Sequence, residues 1–150
     1  MNSTRLYRIA AILFVLFALG HTIGFLTLKP PTPEASAVVE GMNQVHFQID
    51  GADFTYGGFY RGFGLSITVN MLLSAILAWT LADLSRRCPE AIGMLAWSLA
   101  GTQVVGLVLA LKYFSIAPVL LSAVAAVVLG IAAWKRPVAR SSAASVASAA

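Results

Sequence analysis

A chain of 150 residues is long enough for one domain, and 59 % of it is hydrophobic against 11 % charged, with a mean hydropathy of +0.82. Soluble domains carry about 25 % charged residues, so this composition excludes a water-soluble globule and calls for an apolar solvent. The net charge of +4 does not point to nucleic acid, because the basic residues stand in small groups at the ends of apolar runs. There they set membrane topology and form no phosphate-binding stripe.

The first run, Ile9 to Leu28, holds twenty residues without a formal charge and follows Arg5 and Arg8. At ~1.5 Å per residue such a helix spans about 30 Å, the thickness of a bilayer's hydrocarbon core. Ala18-Leu19-Gly20 resembles a signal-peptide cleavage site, yet the run continues apolar through Ile23, Phe25, Leu26 and Leu28, so it reads as an uncleaved span. Lys29-Pro30-Pro31 stops it.

A loop over 29–62 follows. Thr32-Pro33-Glu34 has the form of an N-cap, a first-turn proline and an acidic first turn. Val38, Met42, Val45 and Ile49 then share one face of a helix, which predicts an amphipathic segment on the membrane surface. Val45 to Ile49 also alternates as a strand would. Tyr56-Gly57-Gly58-Phe59-Tyr60-Arg61 suits the headgroup level, where an amphipathic ring is half wet.

The second span is predicted over 65–84. Reading back from it, every fourth residue is small or polar: Gly58, Gly62, Ser66, Asn70, Ser74, Ala78, Ala82. That ridge suits close packing against another helix, of the same chain, a second copy or a larger membrane complex. The third span, 92–111, places Gly93, Ala96, Ala100, Gln103 and Ala110 near heptad spacing, and Lys112 and Tyr113 are expected to break it. The fourth, 115–134, has Pro118 in its first turn and Ser122, Ala126 and Gly130 at spacing four. The Ser/Ala-rich residues 137–150 read as a disordered tail.

Arg5, Arg8, Arg86, Arg87, Lys135, Arg136 and Arg140 lie on one side of this topology, against Lys29, Arg61 and Lys112 on the other. The positive-inside rule puts both termini in the cytoplasm and the long first loop outside. Trp79, Trp97 and Trp134 then fall toward the cytoplasmic half.

No span carries a carboxylate, lysine or arginine in its middle, which argues against an ion-coupled transporter. Phosphate-cradling loops, HExxH and paired metal-ligand spacings are absent from the sequence. The single cysteine, Cys88, excludes an internal disulfide and CxxC redox chemistry. No cofactor, metal or catalytic residue is therefore assigned.

What remains is a neutral polar side chain in each span: His21, Asn70, Gln103 and Ser122. Counted from the outer helix ends, all four lie about 8–12 Å deep in the hydrocarbon. Two readings fit them. They hydrogen-bond across helices as a packing network, or they line an outward-opening pocket that orients a ligand. His21 is the most versatile, since imidazole can donate, accept, shuttle a proton or ligate a metal. His46 completes the candidate ligand-binding set as a residue that overlooks the mouth of the bundle, and a His21–His46 pair is a further way to hold haem or a metal. Asp53, Tyr56, Tyr60 and Arg61 rim the same mouth or act as interfacial anchors.

Residues 18–34, ALGHTIGFLTLKPPTPE, and 46–65, HFQIDGADFTYGGFYRGFGL, resemble small bacterial four-helix integral membrane proteins of no assigned function, with the four-span plan covering about residues 5–136. The resemblance implies an integral membrane protein with a characteristic outer loop and carries over no catalytic residues. The expected fold is all-α, a four-transmembrane-helix bundle with a partly helical extracytoplasmic first loop. The expected function is that of a binding or accessory protein whose outer-leaflet pocket takes a lipid-like or small apolar ligand. The alternatives are a structural subunit and, last, an enzyme using His21 as acid or base.

Overall fold

The computed structural model describes residues 2–135, so Arg136, Arg140 and the tail 137–150 lie outside the described residues. The order of elements is α1 (Ser3–Thr27), α2 (Pro33–Gln44), β1 (His46–Ile49), β2 (Ala52–Thr55), α3 (Tyr56–Arg87), α4 (Gly93–Tyr113) and α5 (Ile116–Trp134). The fold is all-α, a four-helix bundle with one small hairpin. α1, α3, α4 and α5 are each long and apolar enough to cross a membrane, which fits a multi-pass membrane protein. Three of them exceed expectation, the first being α1, which begins at Ser3, six residues before the apolar run at Ile9. α3 begins at Tyr56, nine residues before the apolar run at Leu65, and α4 continues through Lys112 and Tyr113. Lys112 keeps its ammonium over the Tyr113 ring, 5.0 Å from the centroid, so a charge in the last turn does not end the helix.

The chain divides into two compact units. The first contains the residues up to Phe14 and those from Ser74 onward, so all four long helices contribute to it. Its buried core runs from Leu6, Tyr7 and Phe14 of α1 through Ala78 and Leu81 of α3 and Ala96 of α4 to Leu129 of α5. Ten of the seventeen residues in that core are alanine, so the helices meet through methyl groups. Lipid tails are as apolar as the core, so helix pairing in a bilayer depends on close approach, which alanine permits. Thr4 and Ser85 join α1 to α3 through their hydroxyls at 2.8 Å. Arg8 lies 3.6 Å from Asp83 and over the Trp79 ring, and Arg86 bonds the same carboxylate at 3.0 Å.

The second unit spans Val15–Leu73. Its α2 forms where Thr32 accepts the Ala35 N–H at 3.2 Å with Pro33 at the first helical position. The amphipathic helix expected to reach Ile49 stops at Gln44, and the alternating stretch His46–Ile49 is a strand instead. It pairs antiparallel with β2 in the register His46–Thr55, Phe47–Phe54, Gln48–Asp53, Ile49–Ala52. The turn explains the choice. Asp50 (φ 52°) and Gly51 (φ 79°) both take left-handed backbone, as a two-residue hairpin of the primed type demands. Thr55 then caps α3, its hydroxyl accepting the Gly58 N–H at 3.0 Å.

In α3 one stripe of buried or half-buried positions runs through Gly57, Gly64, Thr68, Met71, Ala75, Ala78, Ala82 and Ser85, an alternation of three and four once past the first turn, and toward the C-terminal end Ser74, Leu77, Leu81 and Leu84 widen it. The spacing-of-four ridge behaves differently: Gly58, Gly62, Ser66 and Asn70 are exposed, Ser74 is half-buried, and Ala78 and Ala82 are buried. Each step of four advances about 40° round the helix, so seven members sweep about 240° and cannot face one neighbour. A heptad drifts only ~20°. The same alternation holds at Gly93, Ala96, Ala100, Gln103 and Ala110 in α4, as expected, and at Ser122, Ala125, Leu129 and Ala132 in α5.

Two glycines two residues apart make a direct test. A Cβ at Gly64 would be built into the Phe25 ring, whereas at Gly62 it meets nothing within 4 Å. Gly64→Leu is expected to destabilise the protein by about 1–3 kcal/mol, the usual range for overpacking. Gly62→Leu is expected to leave stability unchanged or slightly raised. Reversible unfolding in mixed detergent micelles measures both.

Candidate functional site

Of the five candidate residues, His21, Asn70 and His46 belong to the unit Val15–Leu73, and Gln103 and Ser122 to the other. His21 sits six residues before the end of α1, half-buried, with Nε2 3.0 Å from the Gly64 carbonyl of α3. A carbonyl oxygen can only accept, so Nε2 carries the proton and donates it. The imidazole also stacks on Phe25 at 5.7 Å and 13°, and Phe25 packs against Tyr60 at 5.4 Å. Gly64 must lack a side chain for this to form, because Phe25 occupies the space beside it. Gly20 and Gly24 have open space at their Cβ positions.

One turn along, Thr22 lies 2.8 Å from Thr68, oxygen to oxygen. Thr22 gives its own proton to the Ala18 carbonyl at 2.8 Å, so Thr68 must be the donor across the helices. Thr4 and Ser85 follow the same logic in the other unit. Ser85 donates to the Ala82 carbonyl at 2.8 Å, which makes Thr4 the donor between helices.

Asn70 is exposed and donates to the Ser66 carbonyl of its own helix at 3.0 Å. Gln103 lies half-buried on the inward stripe of α4, and Ser122 is buried on that of α5, 7 % exposed. No hydrogen bond joins Gln103 to Ser122 among the described residues.

His46 is committed elsewhere. On the hairpin its Nδ1 lies 2.6 Å from Asp53 Oδ2, and both side chains are exposed. No contact links the two histidine rings among the described residues, and no group of three or more His, Cys, Asp or Glu there is arranged to hold a metal. The haem or metal pair therefore has no geometric support in the unit that contains both histidines.

The sequence reading missed a second constellation. Phe47 of β1 packs on Phe54 at 5.9 Å, on Tyr56 at 4.8 Å and on Phe59 at 5.8 Å, and Phe59 meets Phe63 edge-on at 4.8 Å. Five rings thus cluster at the root of the hairpin. The signal that would have revealed them is Asp50-Gly51, the strongest short-range hairpin signature, which fixes Phe47 opposite Phe54.

Compared with family models, with curated proteins and with solved structures, the chain matches none. The chemistry available is thus that of the residues themselves: a stacked imidazole with one nitrogen committed to the backbone, threonine pairs, and aromatic rings.

At the start of α2, the Glu34 carboxyl is held below its ordinary value of 4.5, first by a backbone N–H and then by the Thr32 hydroxyl. A lowered folded value stabilises the helix start above the unfolded value, and that contribution is lost as pH falls through the folded value. NMR carbon shifts of residues 33–36 are expected to keep helical values at neutral pH and to move toward coil below pH 4.5. In Glu34→Gln that pH dependence should vanish. Thr22→Val is expected to cost less than about 2 kcal/mol in mixed-micelle unfolding, the usual ceiling for one interhelical hydrogen bond in a membrane.

Proposed function

We propose that the chain is a binding or accessory protein of a bacterial inner membrane that holds a lipid-like or small apolar ligand beside His21. The supporting observation is the state of that imidazole. Nε2 is given to Gly64, while Nδ1 has no hydrogen-bond partner among the described residues. The ring stacks on Phe25, and Gly20 and Gly24, close to His21 in sequence, have open space at their Cβ positions. An apolar setting with one directed acceptor suits a mostly hydrocarbon ligand that carries a single hydroxyl or N–H donor.

The orientation, with both termini cytoplasmic and 29–62 outside, is supported by the seven-to-three bias of basic residues between the two sides. The bacterial inner-membrane setting in this proposal rests on the resemblance of residues 18–34 and 46–65. A structural role in a complex is the second reading, and the exposed ridge Gly58, Gly62, Ser66 favours it, since a partner helix finds open space at Gly62.

Native mass spectrometry from mild detergent tests the first reading. The wild type is expected to carry a stoichiometric non-protein mass that His21→Ala loses while keeping its helix content. A clean chain mass in the wild type, with lipid adducts retained by a control membrane protein, would contradict it. If Gly62→Leu then shrinks the oligomer, the structural reading takes its place. A reporter active only outside the cytoplasm, fused at Gly51, is expected to be active, and silence there would reverse the orientation.

A further inference from the structure

The hairpin has two chemically different faces. Cross-strand partners share a face, so the register puts Phe47, Ile49, Ala52 and Phe54 on one side and His46, Gln48, Asp53 and Thr55 on the other. The polar side closes on itself through the His46–Asp53 contact. On the apolar side, only Phe47 is half-buried, packed by Tyr56 and Phe59 from the first turn of α3. Ile49 stays 49 % exposed, Phe54 43 %, Phe59 49 % and Phe63 61 %. A lone two-stranded hairpin is marginal in water, so an open apolar face of this kind needs a cover.

The length of α3 says where that cover is found. Its 32 residues extend about 48 Å, roughly 18 Å more than the hydrocarbon core. Asp83, Arg86 and Arg87 mark one boundary of the span. Between Arg61 and Asp83 the sequence carries no charged residue, a run of the length one span needs, so Phe63 stands at its opposite boundary. The two turns above it, Tyr56 to Gly62, and the hairpin they carry therefore stand in the headgroup layer. The hairpin joins α3 without a linker, held by the Thr55 cap and by the Tyr56 N–H bonded to the Val45 carbonyl at 3.3 Å. Its open rings continue into Phe59 and Phe63, exposed residues of α3 itself.

We infer that the hairpin is an interfacial wedge, its face of Ile49, Phe54, Phe59 and Phe63 seated among phospholipid headgroups and upper acyl chains, with the His46–Asp53 face toward water. Tyr60 and Arg61 stand at the same level, where a half-wet ring and a cation near lipid phosphates are stable. This inference goes beyond the ligand reading and is independent of His21.

The full chain, with Trp79→Phe, Trp97→Phe and Trp134→Phe, is reconstituted into phosphatidylethanolamine–phosphatidylglycerol vesicles containing lipids brominated near the top of the acyl chain. Phe54→Trp is expected to emit to the blue and to be quenched at least about threefold more than Gln48→Trp, at every protein-to-lipid ratio. Equal quenching at the two positions would overturn the wedge. So would a Phe54→Trp signal shielded at high protein density and wet on dilution, which would place a second copy on this face. If the tryptophan-free background does not fold, a nitroxide at Ile49→Cys in Cys88→Ser decides. Oxygen must relax it more than a water-soluble nickel chelate does, and the reverse order refutes the inference.

Discussion

A hydroxyl, an amide or an imidazole in hydrocarbon has no water to bond, and leaving it unpaired costs several kcal/mol. The polar side chains of the long helices meet that constraint in a repeated way. Ser66, Thr27 and Thr102 bond back to the carbonyl four residues earlier. Thr22 and Ser85 also bond back to their own helices, and then accept a second proton from Thr68 and Thr4. A residue that has satisfied itself within its helix thus becomes the acceptor that ties α1 to α3. His21 has no such local option. Its N–H reaches the backbone of α3 instead, at a glycine, where the carbonyl can be approached.

Close approach is the other half of the same constraint. The alanine-rich core of the first unit brings helix backbones near each other without bulky intermediaries, and in the second unit Gly64 makes room for the Phe25 ring. Spacing decides which small residues serve. Those alternating by three and four stay on one face of a helix, while those at strict fours wind around it. This is why Ala78 and Ala82 are buried while Gly58 and Gly62 of the same ridge face outward.

The four spans were legible in the sequence because twenty-residue apolar runs have few other uses, and Thr32-Pro33 marked the start of α2 because capping is local chemistry. The heptad of α4 was legible for the same reason as its burial: period and packing are one fact. The end of α2 was not, since Val45–Ile49 satisfies helical and strand periodicity equally. Asp50-Gly51 resolved it, by a turn whose positive φ angles suit those two residues. The start of α3 was hidden because Gly57, Gly58 and Gly62 read as loop, yet Thr55 caps the helix and Gly57 abuts Asn43. Of the candidate residues, His21 could be singled out as a polar group in an apolar run. Its partner could not, because a backbone carbonyl leaves no mark in a sequence. His46 meets Asp53 only across the Asp50-Gly51 turn, and a helical reading of Val45–Ile49 hides that pairing.

His21 Nε2 holds α3, and in the proposed binding role the other nitrogen, Nδ1, would serve a ligand without competing with that contact. The Nε2 contact is the more fundamental, since the orientation of the ring depends on it. Solid-state NMR of the protein in lipid bilayers, with nitrogen-15 in histidine and carbon-13 at the glycine carbonyls, measures it directly. The expected result is a proton on His21 Nε2 with a through-space correlation to the Gly64 carbonyl carbon. An unprotonated Nε2, or a protonated one with no correlation to Gly64, would contradict it.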